Sequence, residues 1–264
     1  MADRTAARVV RVSRMPQSDA GPNDVWAGPV TLDELARPRF TLHTPGVEVD
    51  MTLAVHGDHQ VSNALCAAAV ALECGATGAQ VATALAGAGP VSRHRMHVIT
   101  RGDGVTVIDD AYNANPDSMQ AGLKSLAWIA RQTAEARRSW AVLGEMAELG
   151  DDAISEHDRI GRLAVRLDVS RLIVVGTGRP MSAMHHGAVM EGSWGGEATI
   201  VADADAALAL LRAELRPGMW CSSRPATLPG WAIWPMRWSE ISSEAGPHRR
   251  RHRADGVDPD RPPP

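Results

Sequence analysis

The sequence lacks a long apolar run and a strong excess of charge of one sign. No window approaches 18 uninterrupted apolar residues, and the opening MADRTAARVV has no apolar signal-peptide core. The formal net charge of -4 gives no reason to expect a nucleic-acid or anionic-membrane partner. We therefore expect a soluble, cytoplasmic protein, and its 44% hydrophobic residues are enough to form real cores.

Cysteine is scarce, and its placement indicates neither a metal site nor a disulfide framework. Cys66, Cys74 and Cys221 make an odd count without the spacing of metal ligands. Cys66 and Cys74 fall in an Ala-rich helical run, where we expect buried free thiols. His185 and His186 are adjacent and cannot share one helix face, so no metal ligand is predicted.

The first ninety residues predict a small unit of strands followed by two helices. Residues 6–12, AARVVRV, indicate a short buried strand, and residues 40–57 alternate apolar and polar around a Pro-Gly turn, which predicts a β-hairpin. From Gln60 the apolar residues follow helical spacing as far as Gly75, and a second helix with terminal glycines follows over residues 78–89.

After residue 100 a different rhythm begins, in which strands alternate with helices. This alternation is typical of βαβ units and predicts an α/β fold with a parallel, doubly wound sheet. Such sheets bind ligands at the carboxyl ends of their strands. Polar residues stand directly after the first two strands of the alternation: Asp109, Asp110, Asn113, Asn115, Glu145 and Glu148.

The segment VIDDAYNANPDSM is the most informative of these strand ends. Its carboxylates could accept from ribose hydroxyls or hold Mg²⁺ through water, and its Asn side chains could bind a peptide-like substrate. The alternative is structural: Asp and Asn at such a place commonly form a turn and cap the following helix, which Pro116 opens here.

Four segments in order carry a resemblance to a known family. They are GDHQVSNALCAAAVALECG (57–75), SRHRM (92–96), VIDDAYNANPDSMQAGLKSL (107–126) and AVLGEMAELGDDAISEHDRIG (141–161). With them the chain resembles the Mur ligases over roughly residues 1–218. The resemblance implies that residues 1–90 are the end of a P-loop-type central ATPase domain and that residues 91–218 are a Rossmann-like C-terminal domain.

The family resemblance also implies an activity and its small molecules. ATP, with Mg²⁺, phosphorylates a carboxylate of a UDP-muramoyl-tripeptide, and the amine of D-alanyl-D-alanine attacks the acyl phosphate to form an amide bond. The blocks DAYNANPDSM and LGEMAELG favour this branch over the folylpolyglutamate-synthase-like ligases, which remain the alternative within the superfamily.

Residue by residue, the resemblance places His59 and Asn63 near the adenine and Arg95 and Asp110 near the ribose and phosphates. It places Asn113 and Asn115 near the dipeptide; no catalytic residue is assigned. Taken alone, a histidine such as His59 is more often a helix cap or a core residue than a ligand contact.

The sequence contains no G-x-x-x-x-G-K-[ST] segment, which a P-loop phosphoryl-transfer enzyme needs to hold the phosphates of ATP. We therefore expect the UDP-binding domain and most of the ATPase domain to be missing, and no turnover by this chain alone. Two interpretations remain: a separately encoded N-terminal half complements the chain, or the chain is a gene remnant with at most weak nucleotide binding.

The segment from Gly218 to Trp238 holds four of the eight tryptophans of the chain. Read one base earlier, its codons allow Met219 to Met236 to become DVVLVKASNAAGLGDLAD, in which the two valines are forced by the single codons of Met and Trp. The family expects a strand of the form DVVLVKxS here. The hypothesis is a lost base near Gly218, so that residues 219–264 form an out-of-frame, disordered tail and the sheet lacks its last strand and helix.

Overall fold

The structure, a computed structural model, describes residues 6–14, 24–89, 96–110, 114–132, 138–192 and 196–224. These residues form two units, each built on its own β-sheet. No helix in these ranges is long and apolar enough to cross a lipid bilayer.

The first unit is a five-stranded sheet covered by two helices. Its elements are β1 (Val12–Ser13), β2 (Val25–Ala27), β3 (Thr31–Leu32), β4 (Pro38–Thr44), β5 (Val47–Thr52), α1 (Gln60–Glu73) and α2 (Gly78–Gly87). The predicted hairpin is confirmed: β4 and β5 pair antiparallel from Arg39 and Thr52 to Thr44 and Val47. The expected buried strand over residues 6–12 is wrong, because this segment is mostly exposed and only β1 pairs, parallel to β2.

The helical spacing after Gln60 is confirmed, but the two cysteines there are not buried. The buried face of α1 consists of Val61, Ala64, Leu65, Ala68 and Ala69, which pack against the sheet. Cys66 lies on the opposite face and Cys74 follows the last turn, so both thiols are exposed. The spacing predicted the helix correctly, and the error lay in assigning thiols to its apolar side.

The second unit is a six-stranded sheet with helices on both faces. Its strands are β6 (His97–Thr100), β7 (Thr106–Asp109), β8 (Ser139–Leu143), β9 (Arg171–Val175), β10 (Ala198–Val201) and β11 (Trp220–Arg224), and its helices are α3 (Pro116–Arg131), α4 (Ala153–Arg166), α5 (Arg179–Glu191) and α6 (Ala204–Glu214). The strand order is β10-β9-β8-β11-β7-β6, with only β6 antiparallel. The predicted parallel α/β sheet is therefore confirmed.

Side chains alternate between the two faces of this sheet, as the strand period requires. Ala141, Leu143, Leu172 and Val174 pack under α3, α4 and α5, whereas the neighbouring residues of the same strands pack under α6. Strands β7, β8 and β9 are buried along almost their whole length, which explains the nearly continuous apolar sequences of β8 and β9.

The expectation that the sheet lacks a strand after Gly218 is corrected by the structure. β11 lies between β7 and β8 and pairs parallel with both, so that Cys221 stands opposite Val107 and Trp140. Two flanking strands offer backbone partners on both sides, and a short extended segment can satisfy them with its own main-chain groups. Trp220 adds buried apolar surface to the core. The expected absence of a last helix concerns residues after 224, which lie outside the described residues.

Helices α4 and α5 approach each other through two glycines. A Cβ built on Gly161 overlaps the Met184 carbonyl oxygen and lies 3.1 Å from the Ala188 nitrogen. A Cβ on Gly187 in turn overlaps the Asp158 carbonyl oxygen. Backbone therefore contacts backbone at this crossing, and neither position has room for a side chain.

Candidate functional site between the two units

A tight loop of the first unit contacts α3 of the second. Asp33 Oδ1 accepts hydrogen bonds from the backbone nitrogens of Leu35 and Arg37, at 3.0 and 2.8 Å. Ala36, fully buried with a φ of 59°, packs into the core of the second unit. Trp128 Nε1 donates to the Asp33 carbonyl oxygen at 2.9 Å, which attaches this loop to α3.

Beside this contact lies a cleft of about 420 Å³. Its walls are the start of α1 and the exposed face of α3. The lining residues are Leu32, Asp58, His59, Asp117, Gln120, Ala121, Lys124, Ser125 and Trp128. The cleft thus combines an indole, a lysine, an imidazole and two carboxylates.

His59 occupies the N-cap position of α1 but makes no side-chain capping hydrogen bond. Its Nδ1 is buried and has no hydrogen-bond partner among the described residues. The ring packs on the backbone of Gly57, whose φ of 102° and lack of Cβ allow the approach. Burial lowers the pKa of His59 and the charge of Arg224 lowers it further, against an opposing effect of Asp58. The imidazole is therefore neutral at pH 7 and has an unused polar atom.

Asp110, at the carboxyl end of β7, is only 4% exposed. Its Oδ1 accepts from the backbone nitrogen of Met96 at 3.2 Å, and its Oδ2 pairs with the Arg224 guanidinium. Gly122 of α3 lies against this pair, since a Cβ there would be 3.2 Å from Arg224 Nη1. Both carboxylate oxygens are thus engaged within the protein.

Asn115 acts as the N-cap of α3. Its Oδ1 accepts from the backbone nitrogen of Ser118 at 2.8 Å, and Ser118 Oγ accepts from the Asn115 nitrogen at 3.0 Å. This reciprocal pair is a capping box, and it is the structural alternative weighed for this segment. Arg95 and Asn113, the other residues expected near the substrates, lie outside the described residues.

The remaining polar candidates are exposed. Asn63 Nδ2 donates to Gln60 Oε1 at 3.0 Å within α1 and does not line the cleft. Glu145 and Glu148 stand in the loop after β8 and face solvent. Among the described residues no group of three His, Cys, Asp or Glu side chains is placed to hold a metal ion.

Sequence reasoning missed three residues that shape this region. Arg224 was assigned to the out-of-frame tail, and its pairing with Asp110 spans 114 positions. Lys124 and Trp128 stand on the exposed face of α3, where a single polar or aromatic residue gives no sequence signal of a binding site. Lys124 carried one available signal, because it is the sole lysine in the sequence.

Comparison with known proteins gives one consistent result. Residues 94–222 match the family described as Mur ligase, glutamate ligase domain. A UDP-N-acetylmuramoyl-tripeptide--D-alanyl-D-alanine ligase of Mycobacterium tuberculosis is 74% identical over 229 residues, which cover 83% of this chain and 44% of that protein. The chain therefore spans less than half of that relative.

Solved structures agree with the sequence comparison. A crystal structure of MurF from Acinetobacter baumannii superposes with a TM-score of 0.68 at 25% identity, covering 84% of this chain and 46% of that one. MurF ligase from Thermotoga maritima, solved in complex with ADP, superposes with a TM-score of 0.65 at 16% identity, covering 84% and 48%. The second match concerns the fold alone.

Proposed function

The chain belongs to the Mur ligase family, and from that premise we propose that it is the nucleotide- and amine-facing part of an ATP-dependent, ADP-forming amide ligase. The reaction proposed for the whole enzyme joins D-alanyl-D-alanine to UDP-N-acetylmuramoyl-tripeptide in peptidoglycan synthesis. The observation that carries the proposal is the 74% identity to a mycobacterial protein named for that reaction.

We place the nucleoside end of ATP in the cleft between the two units. The exposed indole of Trp128 offers a face for stacking, and the imidazole of His59 lines the same cleft. A neutral imidazole can accept from or donate to a base or sugar without a charge penalty. Lys124 adds a cation to a lining that also carries Asp117 and Asp58, and the Asp58 carboxylate pairs with Arg14.

The described residues suit a nucleoside better than a triphosphate with its metal ion. The sequence has no P-loop, and the described part of the chain has no cluster of three metal-ligating side chains. Asp110, which the resemblance places near the phosphates, already accepts from Met96 and Arg224. We therefore assign no phosphoryl-transfer step to these residues, and their proposed role is to bind and orient.

The location of the nucleotide can be tested through the single lysine. Periodate-oxidised ATP carries a 2′,3′-dialdehyde that condenses with amines, and Lys124 and the N-terminal amine are the only primary amines that the sequence offers. After borohydride reduction, peptide mapping should find the label on Lys124, and excess unmodified ATP should suppress it. In the matched control Lys124→Arg, labelling of this peptide should vanish. Labelling of Lys124 that ATP does not reduce would refute the location.

We also propose that this chain alone does not turn over. The purified chain, incubated with ATP, Mg²⁺, UDP-muramoyl-tripeptide and D-alanyl-D-alanine, should release no phosphate above background. Addition of a separately expressed N-terminal half of a mycobacterial relative tests complementation, and an inactive P-loop variant of that half is the control. Clear phosphate release by the chain alone would contradict the proposal.

A shifted reading frame from Met219 onward remains our proposal for the tryptophan-rich segment. The formation of β11 does not argue against it, because the slot between β7 and β8 is filled through main-chain pairing, which does not require a particular set of side chains. An accurate read of the genomic DNA across codon 218 tests it. One additional base in the genomic DNA near codon 218 would support the shift. A genomic read identical to the present sequence, and the same sequence in sister strains, would contradict it.

A further inference from the structure

His157 of α4 is a histidine to which no role has been assigned, and it has no exposed surface. Its Nε2 lies 2.9 Å from the backbone nitrogen of Met146, and its Nδ1 lies 2.6 Å from the carbonyl oxygen of Ala153. A backbone N–H only donates and a carbonyl only accepts. The two partners therefore require one tautomer, with the proton on Nδ1 and the lone pair on Nε2.

This hydrogen bond ties a loop to a helix. Residues 144–149 leave β8 at the carboxyl edge of the sheet, and within the loop Met146 is buried between the exposed Glu145 and Glu148. Glu148 has a φ of 62°, so the backbone there depends on outside support. The acceptor for Met146 inside α4 is His157, and the bond fixes the loop at its middle residue.

The same loop is connected to the candidate site. Gly144 N donates to the Arg224 carbonyl oxygen at 3.5 Å, and Leu143 stands opposite Arg224 in the ladder. Arg224 is the partner of Asp110. The loop that His157 holds thus begins beside the buried ion pair at the carboxyl edge of the sheet.

We propose that His157 is a positioning residue that holds the loop 144–149 at the carboxyl edge of the sheet only while its imidazole is neutral. Protonation places a second N–H on Nε2, directly facing the Met146 N–H, so that two donors meet and the bond is lost. Loop release at acid pH follows. A consequence for ligation would rest on the proposed function, whereas loop release can be measured on this chain without substrate.

The charges around the imidazole set the pH at which release begins. Burial lowers the pKa of His157, and the bond to the Ala153 carbonyl together with Glu145 of the loop and Glu156 of α4 opposes that effect. The net direction is downward, so the neutral, loop-holding form predominates at pH 7. The change should fall below the ordinary histidine value of about 6.5.

Two substitutions separate the two hydrogen bonds. In His157→Gln the side-chain oxygen reaches the position of Nε2, which keeps an acceptor for Met146 that does not titrate near neutral pH. In His157→Asn the amide reaches only the position of Nδ1, so the Met146 N–H loses its acceptor. His186→Asn, on the exposed face of α5, is the matched control.

The test combines two NMR measurements on the full chain. Long-range proton–nitrogen spectra should show the Nδ1–H tautomer for His157 at pH 7.5. Amide exchange of Met146, corrected for its intrinsic pH dependence, should accelerate about tenfold or more in His157→Asn, which corresponds to the loss of one buried hydrogen bond. In the wild type, exchange of the Met146 amide should accelerate as the pH falls below about 6.5. In His157→Gln this amide should stay protected at pH 7.5 and at acid pH, and His186→Asn should behave like the wild type.

Three results would overturn the proposal: an Nε2–H tautomer, unchanged Met146 exchange in His157→Asn, or equal acid sensitivity in wild type and His157→Gln. If His157→Asn does not fold, the tautomer of His157 in the wild type and the pH dependence of Met146 exchange in His157→Gln still test the proposal. Failure of ATP-suppressible Lys124 labelling would refute the nucleotide site and leave this inference unaffected.

Discussion

Replacing Gly161 with alanine tests the close crossing of α4 and α5. The new Cβ would overlap the Met184 carbonyl oxygen and lie 2.9 Å from its carbonyl carbon, where ordinary contact begins at 3.4 Å. The carbonyl oxygen is closer still, so relief requires the backbones to separate by at least about 1 Å at this crossing. Overpacking of this kind costs about 1–3 kcal/mol and sometimes more, against a helix-propensity gain of up to about 1 kcal/mol for Ala over Gly.

The clash outweighs the propensity gain because backbone, rather than a flexible side chain, is in the way. We expect a net loss of about 2 kcal/mol in the free energy of unfolding, measured by urea denaturation with a far-UV circular dichroism readout. Gly87→Ala is the matched control, because a Cβ there meets nothing within 4 Å, and it should be neutral or slightly stabilising. Equal midpoints and slopes for Gly161→Ala and Gly87→Ala would refute the packing argument.

The remaining predictions concern a cap, a thiol and acid stability. Asn115→Ala should lower the free energy of unfolding by about 1 kcal/mol through loss of the capping box, with the exposed Asn63→Ala near zero; equal effects would contradict this. Burial raises the pKa of Cys221 to about 12 despite the Arg101 charge. A thiol reagent should therefore react rapidly with the exposed Cys66 and Cys74, and with Cys221 only after denaturation. Rapid reaction of all three thiols would count against a buried β11. The pKa values of His59 and His157 are lowered in the native chain, so below about pH 6.5 the unfolded chain binds protons that the native chain does not bind. The free energy of unfolding should therefore fall by up to about 1.4 kcal/mol per pH unit for each imidazole as the pH is lowered. Constant urea midpoints from pH 7.5 to 5.5 would contradict this expectation.

Periodicity along the chain was sufficient to predict much of the architecture. The hairpin of β4 and β5, helix α1 and the alternating strands and helices of the second unit each follow from local spacing of apolar residues. The strand ends were correctly expected to collect polar groups, since Asp110 and Asn115 stand there. Each of these features depends only on residues close together in the sequence, within one helix or strand and the loop that follows it.

The rest depends on contacts between distant residues. β11 forms because two partners happen to flank a slot, and no property of WCSSR alone predicts this. The pairing of Asp110 with Arg224 and the bond from Trp128 to Asp33 join segments far apart in the sequence. A periodic pattern carries no information on which distant side chain a carboxylate will meet.

The central position of β11 has a consequence for how the chain acquires its structure on the ribosome. Arg224 and Asp110 are 114 residues apart, so the strand in the middle of the sheet emerges long after the neighbours it joins. In the folded sheet β7 and β8 do not pair with each other, and each lacks one parallel neighbour until residues 220–224 leave the exit tunnel. The first unit can fold early, whereas the second must wait with two open strand edges, and an open edge recruits other chains. We therefore expect the time taken to synthesise residues 144–224 to set how long these two edges stay open to other chains.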